Sequence, residues 1–243
     1  MKVTEALKKL ESLGTAQNRK VYARHGVGPK MFGVSYADLG KLVREIGADH
    51  ELALELWASG NHDARVLATM VVDPGRMSAR ELEGWAEALD NHVLTDAFAR
   101  VAAKSPAAPA LERKWTRSKD EWLGAAGWGI RAQRVESPAL SDADLEACLA
   151  EIEAKIHGAK NRTRYAMLMA LIAVGVRGGE LQKKAVAAAK RIGVVEVDHG
   201  ETGCKTPDAA SYIEKTVAYR KKKAGKKKTA RKEAQRSTRR ARA

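Results

Sequence analysis

The sequence predicts an all-α protein, a superhelix of stacked antiparallel helix pairs ending in a basic, disordered C-terminal tail. Three observations carry that prediction. Ala, Leu, Glu, Lys and Arg dominate the chain, β-branched runs are short, and no Asn-Gly or Asp-Gly hairpin signal occurs. Apolar residues recur at helical spacing through one segment after another, separated by short polar or glycine breaks. Consecutive segments pair into a unit of about 40 residues, the period of HEAT and armadillo solenoids.

Taken in order, helices are expected over 3–13, 15–24, 36–47, 49–59, 62–72, 78–89, 93–104, 119–132, 142–156, 161–176 and 179–192. The pairs are 36–47 with 49–59, 62–72 with 78–89, and 93–104 with the region before Trp115. Start signals support several of them. Ser35 precedes Tyr36-Ala37-Asp38, Ser78 stands three residues before Glu81 in capping-box spacing, and Ser141 precedes two acids, Asp142 and Asp144. Gly47, Gly60 and Gly193 each close an apolar-periodic run. The pattern breaks after Gly193: Val194-Val195-Glu196-Val197 has strand-like composition, and a polar, glycine-containing stretch follows. Thr206-Pro207-Asp208 then offers a hydroxyl cap, a proline and an acid, so a last helix is expected from Pro207 to about Lys222.

Charge divides the chain in two. The formal net charge is +14, yet residues 219–243 carry thirteen Lys or Arg and a single acid, Glu233. Residues 1–218 are therefore nearly neutral, and any affinity they have for a polyanion must come from local patches. The expected organisation is a helical-repeat domain over 1–218 and a low-complexity tail over 219–243, too self-repelling to bury a core. No apolar stretch is long enough to span a bilayer, and the first residues lack the apolar core of a secretion signal. Cys148 and Cys204 form neither a disulfide framework nor a zinc pattern. The simplest reading is a reduced, cytoplasmic monomer without metal or cofactor.

Three regions of the body carry a family resemblance. Met31-Phe32-Gly33-Val34-Ser35 is followed by Leu56-Trp57 and His62-Asp63-Ala64-Arg65; then come Asn91-His92-Val93-Leu94-Thr95-Asp96, and Trp115-Thr116-Arg117-Ser118 with Glu121-Trp122. In order and spacing these resemble the DNA alkylation repair family, the alkylpurine DNA glycosylases built from HEAT-like repeats. The resemblance implies double-stranded DNA, alkylated or not, as partner. It also implies hydrolysis of the N-glycosidic bond of cationic N3- or N7-alkylpurines, without flipping the lesion into a deep pocket.

Such a base is already a good leaving group. The chemistry needs a carboxylate to stabilise an oxocarbenium-like sugar and orient water, and aromatic faces to hold positive charge. The resemblance assigns the carboxylate to Asp96, with His92 one turn before it on the same helical face. Two departures bear on activity. His92 stands where the family has tryptophan, and Leu123–Trp128 lacks the family's arginine, the nearest base being Arg131. Trp85 or Trp128 could supply the aromatic surface, with Trp128 taken as the DNA-facing candidate and Tyr165 as a further aromatic.

Other residues divide between binding and structure. Arg162 and Arg164 open the helix at 161 and suit phosphate; the competing reading is a solvated turn. Arg65 is either a DNA contact or the partner of Asp63 or a neighbouring acid. Trp57, Trp115 and Trp122 are equally explained by packing between helices. Lys221, Lys222, Lys226 and Lys227 represent the tail, whose charge density suits phosphate without reading bases. Asp198, His199, Cys204 and Asp208 suggest either an ion site or a loop capping the last repeat, and their spacing matches no zinc pattern. The sequence leaves three functions open: a monofunctional glycosylase, a non-catalytic DNA-binding relative, and a protein-binding scaffold.

Overall fold

The computed structural model describes the backbone of residues 1–240 and the side chains of residues 1–224. It is all-helical, with no strand among the described residues. The helices are α1 (Val3–Leu13), α2 (Ala16–Arg24), α3 (Tyr36–Ile46), α4 (His50–Ala58), α5 (His62–Val71), α6 (Ala79–Ala86) and α7 (His92–Ala102). They continue as α8 (Ala108–Trp115), α9 (Glu121–Arg134), α10 (Asp142–Lys155), α11 (Asn161–Gly175), α12 (Gly179–Ile192) and α13 (Ala209–Arg240). The tail expected to be disordered is helical in the described backbone as far as Arg240, continuing α13 past the expected end near Lys222; the side chains of Lys226 and Lys227 lie outside the described residues.

The caps explain why the helices start where they do. Ser35 accepts from the Asp38 amide, and Ser78 with Glu81 and Ser141 with Asp144 close reciprocal capping boxes. Asn61 and Asn91 cap α5 and α7 in the same way. The last helix starts later than Thr206 suggests, because Asp208 supplies the cap by accepting from the Ser211 amide at 2.8 Å. Val194–Val197 forms no strand; Val195 instead packs in the second core cluster.

Two apolar clusters run end to end. The first gathers α1 and α3–α8, and the second gathers α10–α13. Helix α9 joins them, with Ile130 in one and Trp128 in the other. Its Gly-Ala-rich sequence is what this position requires. A Cβ on Gly124 would fall 2.6 Å from Thr163 Oγ1 on α11, and one on Gly127 would fall 2.5 Å from the Thr116 nitrogen after α8. A Cβ on Gly129 would fall 2.9 Å from Ala99 on α7. Gly124 through Trp128 are buried by this packing, which leaves no room there for an arginine. Arg131 does not replace it at a binding surface: with Arg134 it pairs to Glu112, a buried carboxylate on α8.

Candidate nucleic-acid interface

Helix α7 buries Leu94, Phe98, Val101 and Ala102. The same register turns His92, Asp96 and Arg100, each one turn after the last, into a single polar stripe, which Lys104 extends just past the helix end. That stripe forms one wall of a cavity of about 790 Å³. The other side comes from Tyr22 of α2 and His25 just after it, Tyr36 of α3, and Met70 of α5. Tyr22 is fixed by donating its hydroxyl to the Val34 carbonyl at 2.5 Å, whereas Tyr36 leaves half of its surface exposed.

Asp96 is open to solvent at the floor of this concavity, yet protein surrounds it on most sides. That enclosure pushes its carboxyl up to about 6, with Arg100 and Arg162 pulling the other way. Above that pH it is ionised. Among the described residues it accepts no side-chain hydrogen bond and forms no ion pair. His92 is held the opposite way: enclosure first, then the cations Arg162, His25 and His199, push its imidazole down to about 4. Arg162 Nη2 lies 2.9 Å from His92 Nδ1, and since guanidinium only donates, Nδ1 is the acceptor and the ring is neutral. His92 is thus neutral and not a cation in the groove.

The first turn of α11 reaches the start of α7 through that Arg162–His92 contact. Glu121 at the start of α9 accepts from the Arg162 amide at 2.7 Å, and its carbonyl accepts from Thr163 Oγ1 at 2.9 Å. Arg164 is not available to phosphate as the sequence suggested. Its guanidinium donates to the carbonyls of Glu196, Ala159 and His157, pinning the segment after α12. The same segment is held by a two-way amide pair between Asn161 and Asp198, both bonds at 2.8 Å. His199 then meets Tyr165 edge-on at 5.5 Å and bonds Thr206 at 3.0 Å. Gly200 to Cys204 reach the end of α2, beside Arg24 and His25. The Asp198–Asp208 segment therefore bridges the two ends of the groove. Among the described residues, no three His, Cys, Asp or Glu side chains gather as a metal site.

The aromatic candidates fall differently from expectation. Trp128 is only 2% exposed and packs in the second core cluster, so it presents no face to DNA. Trp57 and Trp85 stack in parallel at 4.1 Å, and Trp115 packs against Phe98, all buried. Core packing is the reading that holds for these tryptophans, and Trp122 is partly buried against the same cluster. The Phe32-Gly33-Val34 motif is also structural. The buried Asp63 carboxylate accepts all three of its amides, at 2.6, 3.0 and 2.8 Å. Gly33 has φ +81°, and a Cβ there would strike Arg19 and Thr15 backbone atoms at 2.8 Å. With Asp63 committed to these amides, Arg65 lies instead over the Trp57 ring, 5.6 Å from its centroid.

Sequence reasoning missed Arg100, Lys104 and Tyr36. The first two were readable, since they continue the four-residue register from His92 and Asp96; Tyr36 was not, because only the superhelix brings α3 opposite α7.

This all-helical arrangement matches known proteins along most of its length. The sequence model of the DNA alkylation repair enzyme family covers residues 6–236. The chain belongs to that family. Its relatives include uncharacterized proteins of Listeria innocua, 33% identical, and of Listeria monocytogenes, 31% identical. Each aligns over 212 residues, 85% of this chain and 93% of the relative. A solved structure with TM-score 0.82 and 29% identity covers 90% of this chain and 95% of its own. It is described as belonging to a new family related to the HEAT-like repeat DNA glycosylases, with affinity for branched DNA structures. No helix among the described residues is long and apolar enough to cross a membrane.

Proposed function

We propose that this family member binds DNA whose duplex is interrupted, as at a branch point, and that it does so without excising bases. Asp96 carries the reading. A glycosylase for cationic purines needs negative charge and exposed aromatic faces around its carboxylate. Here Arg100 and Arg162 outnumber that one carboxylate, and both lie close enough to draw its proton affinity down. Trp57, Trp85, Trp115 and Trp128 are buried and Trp122 is partly so, leaving little indole surface to face a cationic base. A net positive floor suits phosphate instead, and double-stranded arms leaving a branch would continue over Lys221 and Lys222, both exposed on α13. The affinity for branched DNA of the protein with the similar structure supports the same reading.

The glycosylase reading keeps one specific support: Asp96 is ionised above pH 6 and reaches solvent in the groove. The deciding experiment incubates methylated DNA with the protein and measures released 3-methyladenine and 7-methylguanine. In parallel, binding to a four-way junction is compared with binding to a linear duplex of the same length. Junction preference without base release is expected. Release that disappears in Asp96→Asn would instead make the protein a glycosylase with Asp96 as its catalytic carboxylate.

A further inference from the structure

Building on that DNA-binding reading, we infer that the cavity between α2, α3, α5 and α7 is a receptor for one unpaired guanine nucleotide. The volume, about 790 Å³, lies within the range of preformed ligand sites. Its lining is divided as a nucleotide is divided. Val43, Val66, Met70 and Val93 make an apolar slot, and the Tyr36 ring stands half-exposed at its side as a stacking face. Met70 also keeps 38% of its surface exposed here. The charged side chains that line the cavity all come from the α7 wall, whereas the facing side adds only Tyr22, His25, Tyr36 and Thr69 as polar groups. Along the α7 wall Asp96 follows His92, Arg100 lies about 6 Å further along the helix axis, and Lys104 stands just past the helix end. Base edge at the carboxylate and 5′-phosphate at the cations is the arrangement this order accepts.

Asp96 selects the base. An ionised carboxylate only accepts hydrogen bonds, and two adjacent donors satisfy both of its oxygens. Guanine alone presents two neighbouring N–H donors, N1–H and N2–H, on its pairing edge. Adenine and cytosine each set an acceptor beside the donor, and thymine flanks its single donor with two acceptors. Asp96 has its oxygens free for such a pair, and neither Arg100 nor Lys104 forms an ion pair among the described residues.

The test measures binding to three duplexes, one with a bulged guanine, one with a bulged adenine and one fully paired, and separately titrates deoxyguanosine monophosphate. The bulged guanine should bind about tenfold more tightly than the bulged adenine, the scale of one bidentate base contact. Asp96→Asn should abolish that preference while leaving the thermal unfolding cooperative, and Tyr36→Ala should weaken both bulges. Equal affinity for all three duplexes, or a guanine preference that survives Asp96→Asn, overturns the inference while leaving DNA binding intact. If deoxyguanosine monophosphate binds as tightly as the bulge and loses affinity in Asp96→Asn, the site stands and its occupant is the free nucleotide. If no DNA binds, the DNA-binding reading fails, and the mononucleotide titration alone decides whether the cavity is a guanine site.

Discussion

Arg162 donates to Nδ1 of His92 across 2.9 Å, joining the first turn of α11 to the first turn of α7. The bond places the His92 proton on Nε2, toward the groove. Enclosure and the positive charges of Arg162, His25 and His199 hold the ring's proton affinity at about 4. Nitrogen-detected NMR should find His92 as the Nε2–H tautomer, unchanged from pH 8 to pH 5. Removing the donor in Arg162→Ala should move its midpoint toward the ordinary 6.5. A wild-type His92 that titrates near 6.5 would contradict this geometry.

The two shifted groups on α7 act on stability in opposite directions. His92 binds its proton at 6.5 when unfolded and about 4 when folded, so its contribution rises with pH across that interval. Asp96 titrates at 3.8 unfolded and about 6 folded, so the folded form holds the extra proton and its contribution falls with pH from 4 to 6. The groups facing Asp96 are Arg100 and His92 on its own helix, Arg162 and Tyr165 on α11, and Tyr36 on α3. Relative to wild type, Asp96→Asn should therefore gain stability between pH 4 and 6 and change little above 7. Urea unfolding at pH 4.5 and 7.5 checks the sign; a relative loss on raising the pH excludes it.

Asp63 holds the Phe32–Val34 turn with one buried carboxylate and three amides. Net contributions of hydrogen bonds to a charged group are about 1.5–3 kcal/mol each and are not additive. Asp63→Ala should cost about 3 kcal/mol or more in urea unfolding. Asp63→Asn should cost less, because its one carbonyl oxygen keeps part of the set. An Asp63→Ala protein within about 0.5 kcal/mol of wild type, the range of a surface substitution, would show that the turn is held by something else.

The tail should act through charge alone. Deleting residues 219–243 removes thirteen cations and one acid. The logarithmic salt slope of DNA binding should shrink by about 0.9 for every phosphate that the shortened chain leaves unneutralised. The ratio of junction to duplex affinity should persist, because that ratio resides in the groove. Equal slopes for the full and shortened chains would place the tail away from phosphate.

Most of the architecture was legible in the sequence because helix signals are local. Ser35, Ser78 and Ser141 cap where their spacing said, and Gly47 and Gly193 terminate with positive φ. The site was legible only in part. Asp96 and His92 share a helix face, which spacing alone reveals, and the structure puts both on the groove. Arg164 and Trp128 misled because their roles depend on distant partners. Three carbonyls consume the arginine, and α9 lies between two core clusters, which buries the tryptophan. The strand-like Val194–Val197 lacked any second strand to pair with, a fact no local pattern contains.

The central claim is that the α7 wall of the groove meets DNA. It is tested most directly by the junction affinity of the double variant Arg100→Ser, Lys104→Ser, measured at one fixed salt concentration against wild type. Both side chains are exposed, so the fold should tolerate their removal. The account predicts junction binding weaker by about tenfold or more, as expected when a phosphate contact loses two cations. Unchanged affinity in a folded double variant would contradict it.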